Sequence, residues 1–160
     1  WKGVLDRLPD LKSVIDQKQS FFETTRYPVG GEPRSLHAIE NDVVRKQWKD
    51  ARVHMALNCA SAGCPELPAE AFVASKLDAQ LDREVKKFVA DRRNVDWNPT
   101  TKTARVSQIF DWYKDDFGGS REKVVAWINR YRAADGQLAA DSKLKYIDYD
   151  WRLNDMRLVR

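Results

Sequence analysis

Both cysteines of the chain, Cys59 and Cys64, fall in the stretch HMALNCASAGCP (His54–Pro65), together with one of its two histidines. Three chemistries are open to such a stretch. A nucleophilic cysteine must be held as a thiolate, with a base in hydrogen-bond reach and donors for a developing oxyanion. His54 leads directly into Cys59, Asn58 offers an amide donor, and the small Ser61–Ala62–Gly63 run could turn backbone N–H groups toward a pocket. The second chemistry is a disulfide. Four small residues separate the two thiols, and closing so short a loop is worth about 2 kcal/mol by chain entropy. A bonded pair fits an oxidising compartment, and free thiols fit a reducing one. The third is zinc, for which His37, His54, Cys59 and Cys64 could supply four ligands. Their spacing matches no standard zinc pattern, so neither metal nor other cofactor is expected.

Chain order excludes part of the enzyme space. His37 and His54 both precede both cysteines. The papain order, Cys first and His much later, cannot be built from this chain, nor can the usual transglutaminase or cell-wall endopeptidase order. A thiol hydrolase here would place its histidine before its cysteine, as triads defined by geometry allow. ARVHMALN (Ala51–Asn58) alternates apolar and polar residues and reads as a short buried strand. His54 and Cys59 then lie an odd number of positions apart and face opposite sides, so Cys64 would fold back to the histidine more easily. A hydrogen-bonded histidine at the core edge is the plainer reading of His54, and a surface residue that of His37. Asp111 and Asp115 read as solvated charge. Asp148, Asp150, Asn154 and Asp155 lack the order and glycine of a calcium loop.

The elements that must position these groups follow from periodicity. GVLDRLPDLKSVID begins with a short helix or turn broken at Pro9, and SFFETTRYPVGG reads as extended up to a Gly30–Gly31 turn. Ser35 caps a helix reaching about Trp48. Ser75 and Asp78 resemble a capping box for a helix with the apolar stripe Leu77, Leu81, Val85, Phe88 and Val89. NVDWNPTTKTARVS reads as a hairpin turning at Asn98–Thr101. Ser107 opens a helix stopped by Gly118–Gly119, and Ser120 opens another. KLKYIDYDWRLND alternates like a strand. The sum is a single α+β domain over residues 1–160, with about four helices packed on a small, mainly antiparallel sheet.

Composition narrows the classes further. In 160 residues, 42% are hydrophobic and 32% charged, with a net charge of +4. That is a globular balance. Lys and Arg alternate with Asp and Glu, as in LDREVKKFVADRRN (Leu81–Asn94), with no dense basic block, so nucleic-acid binding is not expected. No apolar run approaches the ~18 residues of a membrane span. The chain begins at Trp1 rather than Met, so an upstream piece is expected to have been removed or left out, and a signal peptide could have been part of it.

Five segments occur in one order: GGEPRSLHAIENDVVRK, DARVHMALNCASAGCPEL, LDAQLDREVKKFV, VSQIFDWYKDDFGG and YDWRLN. Together they resemble the family known as domain of unknown function 547, over about Phe21–Asn154. The resemblance implies a bacterial protein carrying an export signal, hence a periplasmic or secreted setting. Some eukaryotic members are joined to a glutaredoxin-like domain, which points faintly to thiol chemistry. Its motifs mark Ser35, Glu40, Arg45, His54, Cys59, Cys64 and Pro65, then Trp112, Tyr113, Asp116 and Phe117. A histidine common in the family directly after Ile39–Glu40 is Asn41 here, which weakens the zinc and hydrolase readings. The usual upstream Asn- and Tyr-containing helix of the family is also missing from this sequence.

Two functions follow. One is a Cys-dependent acyl-transfer or amide hydrolase with Cys59 or Cys64 as nucleophile, His54 as base and Glu40 or Asp116 as candidate orienter. The other is a non-catalytic extracytoplasmic domain for binding or structure, stapled by a Cys59–Cys64 disulfide. Arg45 would then hold the loop by bonding its carbonyls or pairing with Glu40, with Asn58 as a further binding group. The partner stays open, a protein being one candidate.

Overall fold

A computed structural model describes residues 2–8 and 10–155. Helices start where a serine can satisfy an otherwise unpaired amide. Ser35 Oγ accepts from Ala38 N at 3.1 Å, Ser120 Oγ from Lys123 N at 3.3 Å, and Ser107 Oγ from Ile109 N at 3.3 Å. The architecture is α+β, with six α-helical segments and two small sheets among the described residues. The chain divides into two compact units that interleave in sequence.

The first unit comprises the described residues up to Asp50, then Asn58–Cys64, then those from Asp150 on. It opens with α1 (Lys2–Leu5). The segment from Gln19 to Thr24, expected to be extended, is instead a π-helical turn, closed by Thr25 N donating to Ser20 O at 3.2 Å. This coiling buries Phe21 and sets its ring edge-on to Phe22, 4.7 Å between centroids. β1 (Tyr27–Val29) and β2 (Glu32–Arg34) pair antiparallel, Val29 opposite Glu32. The two-residue turn needs positive φ at both positions. Gly30 and Gly31 supply +63° and +83°.

One continuous helical rod follows. It runs from α2 (Leu36–Ala38) through a π-helical middle (Ile39–Arg45) to α3 (Lys46–Trp48), and stops at Lys49 with φ +49°. Val4, Leu11, Val14, Phe21 and Leu153 make the core of this unit. The stretch around Leu153 is bonded on two sides. Leu153 N donates to Lys12 O at 2.8 Å, and Asn154 N donates to Ala60 O at 2.8 Å.

The second unit comprises Ala51–Leu57 and Pro65–Tyr149. Ala51–Met55, read from the sequence as a strand, is a 3-10 helix. A period of three, not two, brings Ala51 and His54 to one buried side. Alternation over so few residues fits either period. The long helix α4 (Leu77–Ala90) packs against this turn. Arg52 fixes the contact, donating to Asp78 and to Asp82, each at 2.8 Å. The expected Ser75–Asp78 capping box therefore does not form: Lys76 stands at the N-cap without a side-chain bond, and Asp78 is used by Arg52.

Of the stripe on α4, Leu81, Val85, Phe88 and Val89 are buried, whereas Leu77 is exposed. The same buried side carries Gln80, which clamps the preceding chain. Val73 N donates to its Oε1, and its Nε2 donates to Ala71 O, both at 2.9 Å.

β3 (Val95–Asn98) and β4 (Thr103–Ser107) form the expected hairpin, Asn98 opposite Thr103. After β4 comes α5 (Ile109–Trp112), which gives way to successive turns before Gly118–Gly119. This loosening carries Phe117 into the core, where its ring lies 4.9 Å from Phe110. Next are α6 (Arg121–Asn129) and β5 (Lys143–Ile147). β5 pairs parallel with β4, so the three-stranded sheet is mixed, in the order β3–β4–β5.

These caps can be told apart by mutation. Ser35→Ala is expected to lower unfolding free energy by about 1 kcal/mol in urea denaturation. Ser75→Ala, at the box that does not form, should change it by less than about 0.5 kcal/mol.

Candidate functional site

In the first unit, the two sulfurs of Cys59 and Cys64 lie at disulfide distance, with their Cα atoms 6.1 Å apart. The loop between them is fully engaged. Cys59 N donates to Cys64 Sγ at 2.8 Å, and Cys64 N to Ser61 O at 3.1 Å. Ala60 N donates to Asn58 Oδ1 at 2.8 Å, an Asx turn that holds Ala60 in the left-handed region at φ +66°. Ala62 N donates to Arg152 O at 2.8 Å, and Gly63 N to Asp150 O at 2.9 Å. Ser61, fully buried, pairs as a β-bridge with Leu153, and its Oγ lies 3.0 Å from Cys59 Sγ. The small residues expected to aim N–H groups into a pocket instead bond to this chain's own acceptors. Asn58 accepts this bond through its Oδ1.

The strand that anchors the loop is itself held. Arg152 bonds both carboxylate oxygens of Asp150, with Nη2 to Oδ2 at 2.5 Å and Nε to Oδ1 at 2.9 Å. That guanidinium keeps the Asp150 carboxyl below the usual carboxylate range.

On the helical rod of the same unit, Glu40 and Arg45 are half-buried, and His37 is exposed. Arg45 donates from Nη1 to Asn41 Oδ1 at 2.6 Å. Asn41 Nδ2 in turn donates to His37 O at 3.1 Å and lies 3.3 Å from His37 Nδ1. Asn41 thus links His37 to Arg45, a role that spacing along a helix, i to i+4 twice, could have suggested. An open cavity of about 620 Å³ is lined by Arg26, Arg34, Glu32 and Asp42, among others. Its Arg34 is paired with Glu32 at 3.0 Å.

The second unit holds the histidine. The 3-10 helix turns His54 inward, leaving 1% of its side chain exposed. His54 Nε2 lies 2.7 Å from Asp116 Oδ2. A carboxylate only accepts, so Nε2 donates to Asp116. The ring stacks on Tyr113, 3.9 Å between centroids at 21°, with Phe117 at 5.6 Å. The loosened turns after α5 therefore deliver Tyr113, Asp116 and Phe117 to His54. Of the sequence candidates, His54 and Asp116 are brought together here. With His54 on a 3-10 helix, the alternating-face argument that set it opposite Cys59 no longer applies. Asp111 and Asp115 are exposed, and Asp111 accepts from Gln108 Nε2 at 3.2 Å. Among the described residues, no group of three or more His, Cys, Asp or Glu is placed to hold a metal ion.

The family model described as "Protein of unknown function, DUF547" matches residues 4–89. The chain belongs to this family. The matched DUF547 span contains the cysteine loop, His54, the helical rod and α4, while Asp116 and its neighbours lie beyond it. No curated protein and no solved structure matches the chain.

Two substitutions probe the geometry. Ala60→Gly should raise stability by about 1 kcal/mol, because glycine accepts the left-handed backbone without strain. Asp116→Ala leaves a buried imidazole N–H without its acceptor and should cost about 1–3 kcal/mol, with Asp116→Asn costing less. Chemical denaturation with far-UV circular dichroism reads both.

Proposed function

We propose that this DUF547 chain is an extracytoplasmic, non-catalytic domain for binding or structure, in which a Cys59–Cys64 disulfide staples the loop. One observation carries the reading. The loop presents its sulfurs to each other and its amides at Cys59, Ala60, Ala62, Gly63 and Cys64 to acceptors of the same unit. A thiol hydrolase needs the opposite arrangement, with a free thiolate and amides aimed at a substrate oxygen. A bonded pair persists in an oxidising compartment, which supports a periplasmic or secreted setting. Among the described residues, no helix is long and apolar enough to cross a membrane.

The second reading, a Cys-dependent acyl-transfer or amide hydrolase, draws support from one feature. Asp116 orients His54 as the acid of a triad orients its base. On that reading, the disulfide is an oxidised resting form.

Intact-mass analysis with alkylation separates the two. The native protein is expected to take up no alkylating reagent near neutral pH, and to take up two equivalents after unfolding and reduction. Replacing both cysteines by serine should cost about 2 kcal/mol of stability. A native thiol that alkylates fast at neutral pH, at a rate lost in His54→Ala, would overturn the staple and favour the hydrolase.

A further inference from the structure

β5 is the last strand of its sheet. It pairs with β4 on one side and, among the described residues, with no strand on the other. The register shows which of its backbone groups are left over. Lys143 N donates to Lys102 O at 2.8 Å. Every second residue of a parallel strand faces a given neighbour. Lys143, Lys145 and Ile147 therefore bond to β4, and the N–H and C=O groups of Leu144 and Tyr146 point outward. Among the described residues, no backbone hydrogen bond from outside the sheet reaches them.

The same strand carries charge. Leu144 packs against the core of the second unit, so Lys143 and Lys145 stand on the opposite, exposed face. Arg105 of β4, also exposed, lies directly across from Lys145. Asp96 of β3 is opposite Arg105, but Arg92 takes its carboxylate at 2.8 Å. Among the described residues, no carboxylate pairs with Arg105, Lys143 or Lys145. Lysines on an edge strand serve to keep other strands away. Arg105 is not on an edge, and a like charge directly opposite Lys145 costs stability. A cation at that place answers to an anion from outside the fold.

We propose that β5 docks an extended segment of another protein in which Asp or Glu recurs at every second residue. Strand addition would fill the outward N–H and C=O groups of Leu144 and Tyr146. The two-residue period of the added strand sets its carboxylates beside Lys143 and Lys145, about 7 Å apart. Arg105, one strand further in, adds positive field at the same carboxylates. The edge selects a peptide, because it offers acceptors as well as donors, and phosphate groups of a lipid surface or a nucleic acid match only the donors. The cations select an acidic peptide. The proposal stands whether Cys59 and Cys64 are bonded or free, because none of these residues lies in their loop.

Fluorescence anisotropy tests this with a labelled, end-capped eight-residue peptide alternating Glu with Thr, titrated with the oxidised chain at low salt. Saturable binding below about 1 mM is expected. Two control peptides should bind about tenfold more weakly or worse. One has the same composition with its Glu residues in a single block, and the other has its backbone amides N-methylated. Lys145→Glu should weaken binding by a similar factor and raise the urea midpoint, since it turns the like-charge pair with Arg105 into an opposite one. Lys46→Glu, the same change of charge at an exposed lysine of the first unit, should leave binding as it is. Lack of saturation overturns the proposal, and so does equal binding of either control peptide or wild-type affinity in Lys145→Glu. Tighter binding to phosphatidylglycerol vesicles than to the peptide overturns it in favour of a membrane. A dimer of the chain alone, seen by sedimentation and dissociated by Lys145→Glu, overturns it in favour of a second copy.

Discussion

The cysteine loop depends on a backbone stretch far from it in sequence. Residues 150–154 run between the chain at Lys12–Ser13 on one side and the loop at Ala60–Gly63 on the other, with hydrogen bonds to both. Backbone groups cannot be left unpaired in a buried setting. A loop as short as Cys59–Cys64 pairs its amides at Cys59, Ala60 and Cys64 locally, but those of Ala62 and Gly63 reach distant carbonyls. The carbonyls of Asp150 and Arg152 complete it. The buried Leu153 side chain then joins the core of the first unit, so the same stretch satisfies polar groups along its backbone and apolar ones through its side chain.

His54 rests on a comparable economy in the second unit. Its neighbour Arg52 ties the 3-10 turn to α4 through Asp78 and Asp82. Asp116, Tyr113 and Phe117 close around the ring from one short run of sequence. A polar ring so buried is tolerated because it has a charged acceptor and a flat aromatic neighbour. The helix that would have continued past Trp112 yields to turns, and this change of path puts a carboxylate and two aromatics in reach of one histidine.

Much of this was legible in the sequence where local chemistry decides. Ser35 and Ser120 cap helices, Gly30–Gly31 turns a hairpin, and Asn98–Thr101 turns another. Sequence reading failed where a distant partner outbids the local signal. Asp78 had the place of a capping residue, but Arg52 takes it. ARVHMALN had the alternation of a strand, yet the contacts of its turn with α4 favour a tighter helix. The amides of Ala62 and Gly63 looked available because their acceptors, Arg152 and Asp150, lie about 90 residues away. Asp116 was readable as a partner for His54 only through the family resemblance, since nothing local ties the two.

The two-sided seating of Leu153 has a consequence for how the protein is made. Synthesis proceeds from the N-terminus, so the cysteines are complete long before residues 150–154 exist. Until that stretch arrives, the loop lacks the carbonyls that shape it, and contacts of such long sequence separation form late. Thiol oxidation can therefore run ahead of the geometry that suits it. Closure of the pair is then a matter of timing between the oxidant and the arrival of residues 150–154.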